Sequence, residues 1–196
     1  MKFSFKILFA FLAMAFAIVS CRTSESDEPI SPTNPNTEIE GLTKIKEISN
    51  DTHIIELYSK SGSTNLGYND LKLRLKNKST NQYEKNATIS WTPLMHMTMM
   101  THSCPKSAVE KVTSDGSLYS GYIVFQMPGN DTEYWDLKID YTIGGTSYTA
   151  TTLINVPVEN KKTVNSFLGS DNVRYVVAYI EPKSPKVAIN EMTLGV

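Results

Sequence analysis

Beyond residue 50 the chain is written in short runs rich in β-branched and aromatic residues, at 53–58, 71–76, 87–91, 118–126, 134–142, 147–156, 174–180 and 191–196. Turn-forming clusters lie between them: Ser61-Gly62-Ser63, Asn77-Lys78-Ser79, Ser114-Asp115-Gly116, Pro128-Gly129-Asn130 and Gly144-Gly145. Such runs suit a pleated, half-buried surface, and Gly, Pro, Asn and Ser supply the bends. Gly144-Gly145 separates 134–143 from 146–156, which is the spacing and chemistry of a two-residue hairpin. No stretch after residue 20 sustains a helical period. The pattern predicts an all-β fold, an antiparallel immunoglobulin-like β-sandwich, with Trp91 and Trp135 among the core aromatics.

The first 20 residues follow a different rule. Lys2 and Lys6 precede an apolar run from Ile7 to Val19 that is too short to cross a bilayer as a mature helix. The run ends in Ile18-Val19-Ser20-Cys21, which resembles the lipobox of bacterial lipoproteins. That resemblance implies cleavage before Cys21, diacylglycerol on its thiol, and an outer-membrane lipoprotein facing the periplasm or the medium. An uncleaved N-terminal anchor is the other reading. Residues 21–42 are mainly Ser, Thr, Pro, Asn and acid, with Pro29, Pro32 and Pro35 evenly spaced. They read as a flexible tether, because so few apolar groups cannot offset the entropy of ordering. Glu25, Asp27 and Glu28 weakly resemble the acidic stretch of surface-displayed lipoproteins.

Without Lys2 and Lys6 the chain keeps 17 basic against 20 acidic residues, a formal charge of −3. Nucleic acid is therefore not an expected partner, since binding phosphate requires a clustered basic face. Residues 43–160 suffice for one domain.

The candidate chemistry lies in Trp91–Pro105, read W-T-P-L-M-H-M-T-M-M-T-H-S-C-P. Four of eight methionines and two of three histidines fall here, with Cys104. Thioether, imidazole and thiolate suit the soft ion Cu(I), whereas hard cations prefer oxygen. The expected ligands are His96, Met100 and His102, with Cys104 and Met97 as further donors. If the strand ran straight, Met95, Met97 and Met99 would share one face and His96, Met100 and His102 the other. A bulge or turn before Cys104 would gather the second set, and Pro93 and Pro105 make irregularity plausible. A hydrophobic strand with two ordinary histidines is the opposing reading, because Met is also a gap filler in cores.

Only Cys21 and Cys104 occur, so acylation of Cys21 would leave Cys104 without an intramolecular partner. There is no C-x-x-C pair for thioredoxin-like chemistry. A blue-copper centre fits poorly, since both cluster histidines precede the cysteine and no His or Met follows it closely. His53 reads as an ordinary strand residue; Met127, just before a turn, could approach the cluster but reads first as core or rim packing. No G-x-S-x-G elbow or motif-placed carboxylate pair supports hydrolysis, so an enzyme is not expected.

A displacement of 121 places Arg174–Tyr179 on His53–Tyr58 and Ile189–Leu194 on Tyr68–Leu73 without a gap. Residues 161–196 therefore read as the start of a partial second copy; chance likeness between two β-hairpins is the alternative.

The ordered motifs Gly67-Tyr-Asn-Asp-Leu-Lys-Leu73, Met95-His-Met-Thr-Met-Met100, His102-Ser-Cys-Pro105, Gly121-Tyr122, Phe125-Gln-Met-Pro-Gly129 and Trp135-Asp-Leu137 resemble the FixH/YtkA-like extracytoplasmic domain. The resemblance covers about residues 50–157. It implies a small β-sandwich with a Met-rich strand and an association with copper handling. The expectation is an envelope lipoprotein that binds Cu(I) as carrier, buffer or sensor, with a copper-handling or envelope protein as partner. A metal-free immunoglobulin-like interaction or adhesion module is the alternative.

Overall fold

The computed structural model describes residues 37–196, which include no helix beyond a short 3-10 turn at Thr37–Ile39. Twelve strands follow: β1 (Thr43–Ser49), β2 (His53–Ser59), β3 (Gly67–Asn77), β4 (Ala87–His96), β5 (Thr101–His102), β6 (Glu110–Lys111), β7 (Tyr119–Phe125), β8 (Tyr134–Ile143), β9 (Thr146–Ile154), β10 (Val164–Leu168), β11 (Arg174–Glu181) and β12 (Thr193–Gly195). All pairs are antiparallel. The sandwich joins a sheet of order β1-β2-β3-β7-β6 to one of order β5-β4-β8-β9. Setting β1 aside, these are the A-B-E-D and C′-C-F-G orders of an immunoglobulin-like fold, with β4 in the place of strand C. The expected fold class is what the chain adopts.

The core follows from strict alternation. Ile55 and Leu57 on β2, Leu71, Leu73 and Leu75 on β3, and Ile123 and Phe125 on β7 face Ile89, Trp91 and Met95 on β4 and Trp135, Leu137, Ile139 and Tyr141 on β8. Trp91 sits at the strand C position, its indole N–H donating to the Ser107 carbonyl at 3.1 Å. Gly121 makes room for it, since a Cβ there would lie 2.5 Å from Trp91 Cζ2. Trp135 is fully buried and donates to the Met127 carbonyl at 2.9 Å. Gly144 and Gly145, with φ of 56° and 84°, form the two-residue hairpin between β8 and β9, where left-handed backbone at both positions favours glycine.

Four strands escape the sequence pattern. β1 carries Lys44, Lys46 and Glu47 and buries only Ile48, as an outermost strand can. β5 and β6 have two residues each, and β10 is mostly exposed. Residues just before β1 also join the fold: Glu38 accepts from the Ser117 amide at 2.8 Å and the Ser117 hydroxyl at 2.5 Å.

On the outer face of the first sheet a buried polar group forms around Glu56. Arg74, directly across the strands, donates to Oε2 at 2.9 Å, as do Tyr58 at 2.8 Å and Tyr83 at 3.0 Å, while Lys44 reaches Oε1 at 2.8 Å. The Arg74 guanidinium also lies 3.9 Å from the Tyr83 ring centroid.

The third sheet, β10-β11-β12, touches the sandwich through a small apolar contact of Val164 and Ala178 with Val124, with Leu66, Tyr68 and Val176 half-buried around it.

Candidate metal site

The Met/His stretch is a hairpin, and its register decides which donors meet. β4 ends at His96 and β5 begins at Thr101; between them the Met97 amide donates to the Met100 carbonyl at 2.9 Å. The pairs are Met95 with His102 and His96 with Thr101. Residues paired across an antiparallel ladder project on one side, so the turn reverses the parity that a straight strand would give. His96 and His102 consequently lie on opposite faces of the second sheet, in contrast to the shared face expected for His96, Met100 and His102. Met97 packs against the core, and Met100, bonded through its carbonyl to the Met97 amide, is exposed.

Each face has its own partners. On the outer face His96 Nε2 donates to Asp136 Oδ2 at 2.8 Å, and the ring stacks on Tyr134 at 4.9 Å. On the inner face Met95 is fully buried in the core, and Met97 packs against it. Met99 and Met100 stand at the hairpin tip, 92 % and 60 % exposed. Cys104 lies beyond β5 in the core cluster. Burial pushes its thiol up to about 12, against a smaller downward pull from Lys106, so it is a protonated apolar group near neutral pH. Cys21 lies outside the described residues.

His102 is held differently. Its Nδ1 is 2.9 Å from the Ser103 carbonyl, which can only accept, so Nδ1 carries the hydrogen. In the neutral ring Nε2 then presents a bare lone pair. Nε2 points at Met127 Sδ, 3.4 Å away, and the ring rests edge-on against Trp135 at 5.6 Å between centroids. Where Nε2 carries no hydrogen, two electron-pair donors face one another; where it carries one, the contact is an N–H···S hydrogen bond. Closed-shell first-row ions bind imidazole nitrogen at about 2.0 Å and sulfur at about 2.3 Å, so an edge of a tetrahedral site spans about 3.5 Å. The observed separation matches that edge. The carbonyl on Nδ1 is the usual second partner of a ligating histidine, fixing tautomer and ring plane.

The donors that meet are thus His102 and Met127. Met127 is the one that reading the chain ranked below packing; its only signal is the Met-Pro-Gly turn that brings the β7–β8 connection to this end. Its main chain is fixed by the Trp135 indole and its side chain packs on the core. Among the described residues no three His, Cys, Asp or Glu side chains come together as a metal-binding group, so any ion here would depend on thioethers. Comparison with protein-family models, curated proteins and solved structures returns no match.

Proposed function

We propose that this chain is an envelope lipoprotein whose immunoglobulin-like domain binds Cu(I) at one end of the sandwich, as a carrier or buffer. The single observation behind this reading is His102 Nε2 facing Met127 Sδ at 3.4 Å. One imidazole and the Met127 thioether, with Met97 and Met100 of the adjoining hairpin as candidate further donors, would make a soft, uncharged set that favours a soft monovalent ion over Zn(II), Mg(II) or Ca(II). The fully buried Trp135 rests edge-on against His102 on the inner side. The exposed hairpin tip leaves the outer side open for an ion to enter or leave. The resemblance of the motif order to FixH/YtkA-like domains motivates the same reading, and membrane attachment through Cys21 would hold the site outside the cytoplasm.

Anaerobic titration against a competing Cu(I) chelator tests it. We expect one equivalent to bind, with affinity lost in His102→Ala and Met127→Ala but retained in His96→Ala, whose side chain faces the other way. Failure to bind, or equal loss in all three variants, removes the proposal. A second reading, a metal-free interaction module, is favoured by the outer-face group of His96, exposed Tyr134 and exposed Leu153. A chain that takes up no copper would leave that reading standing.

A further inference from the structure

The methionines around the hairpin differ in what can reach their sulfurs. Met95 is fully buried, Met97 is half-buried against the core, and Met99 and Met100 stand exposed at the tip. Met127, the thioether that meets His102, is half-buried on the core as well. Cys104 is buried, and the protonated thiol that burial enforces is a poor nucleophile. Among the described residues, the sulfurs open to a dissolved reagent on this stretch are therefore those of Met99 and Met100. Met100 is also tied to the candidate site: its carbonyl accepts from the Met97 amide at 2.9 Å, and His102 follows two positions later on β5. Met192, beside β12 in the third sheet, is comparably exposed, at 65 % against 60 % for Met100, and serves as a control outside the hairpin.

A peroxide oxidises a thioether when a sulfur lone pair attacks one of its oxygens. The O–O bond breaks and an S–O bond forms, sulfur loses two electrons, and the other oxygen leaves as hydroxide and takes the proton of the transferred oxygen to become water. Access to solvent decides which sulfur reacts, and the product is a polar, chiral sulfoxide that a reductase can reverse. At Met95 the new oxygen would be an unpaired polar atom in the core. At the tip it stands in water and leaves the fold intact. Its effect is on ligation, since a sulfoxide offers an oxygen in place of a soft sulfur and suits Cu(I) poorly.

We propose that Met99 and Met100 are a reversible oxidation site for hydrogen peroxide and related peroxides, and that the sulfoxide at Met100 releases the ion held by His102 and Met127. The release step rests on the copper reading above; the oxidation site does not.

The full chain, treated with hydrogen peroxide at neutral pH and quenched with catalase, is mapped by peptide mass spectrometry. Met99, Met100 and Met192 should each gain an oxygen atom while Met95, Met97 and Met127 stay unmodified, with the urea midpoint unchanged. Oxidation of Met95 or Met127 as fast as that of Met100, or an unfolded product, overturns the oxidation site whatever the chain does with copper. Anaerobic competition for Cu(I) should show affinity lost on oxidation and restored by methionine sulfoxide reductases with dithiothreitol. Met192→Leu should lose affinity on oxidation as the wild type does, whereas the double variant Met99→Leu, Met100→Leu should keep through peroxide treatment whatever affinity it starts with. Affinity that survives oxidation of Met100, or that falls on oxidation of the double variant, overturns the release step. A chain that binds no Cu(I) before treatment removes the proposed function and the release step together, and the sulfoxide map then decides the oxidation site by itself.

Discussion

Replacing Glu56 by Gln removes the one negative charge in a buried polar group while keeping the shape of the side chain. Burial on its own raises the Glu56 carboxyl, but hydrogen bonds from Lys44, Tyr58, Tyr83 and Arg74 outweigh it and bring the carboxyl from an ordinary value of 4.5 down to about 2. A carboxyl depressed in the folded state contributes stability above its unfolded value, and that stability is lost as pH falls from about 4.5 toward 2. At about 1.4 kcal/mol for each tenfold change, the contribution at neutral pH is about 3 kcal/mol. Glu56→Gln should cost about 3–5 kcal/mol at pH 7, because Arg74 stays buried opposite an uncharged group whose N–H atoms cannot accept. Urea unfolding of both proteins from pH 7 to pH 2 reads the difference directly. The gap between wild type and variant should close by about 3 kcal/mol across the acid range, as the wild-type carboxyl takes up its proton. A gap that stays constant from pH 7 to pH 2 would refute this assignment of the network.

Two other changes separate packing from chemistry. Met95→Ala should cost about 2–5 kcal/mol in urea unfolding, since it empties a fully buried core position, and should leave Cu(I) affinity unchanged; loss of affinity at unaltered stability would place Met95 among the ligands instead. Cys104, with its thiol pushed up to about 12, should resist a thiol reagent at pH 8, where only about one part in ten thousand is thiolate, and react at once in urea. Rapid labelling of the folded chain would show that the thiol is accessible.

The fold was legible because alternation of apolar residues and the Gly-Gly hairpin are local signals that the tertiary structure does not override: β2, β7, β8 and β9 match their runs closely, while β3 starts before 71 and β4 continues past 91. β1 was hidden because an outermost strand needs few apolar residues and carries mainly Lys, Glu, Ser and Thr. The Met/His stretch was legible as a cluster but not as a geometry. Parity along a strand assigns faces only while the strand continues, and the turn at 97–100 reverses it, sending His96 to Asp136 and His102 to Met127. Met127 was open to the site from its place before the turn but ranked below packing, since its approach to His102 is made across 25 residues by the connection between β7 and β8.

X-ray absorption at the copper edge of the full chain loaded with one equivalent of Cu(I) tests the central claim most directly. The account requires one imidazole nitrogen and two or three thioether sulfurs around the ion, with a spectrum unaltered by Cys104→Ser and abolished by His102→Ala. A shell of two nitrogens, a thiolate contribution that disappears in Cys104→Ser, or no bound copper would contradict it.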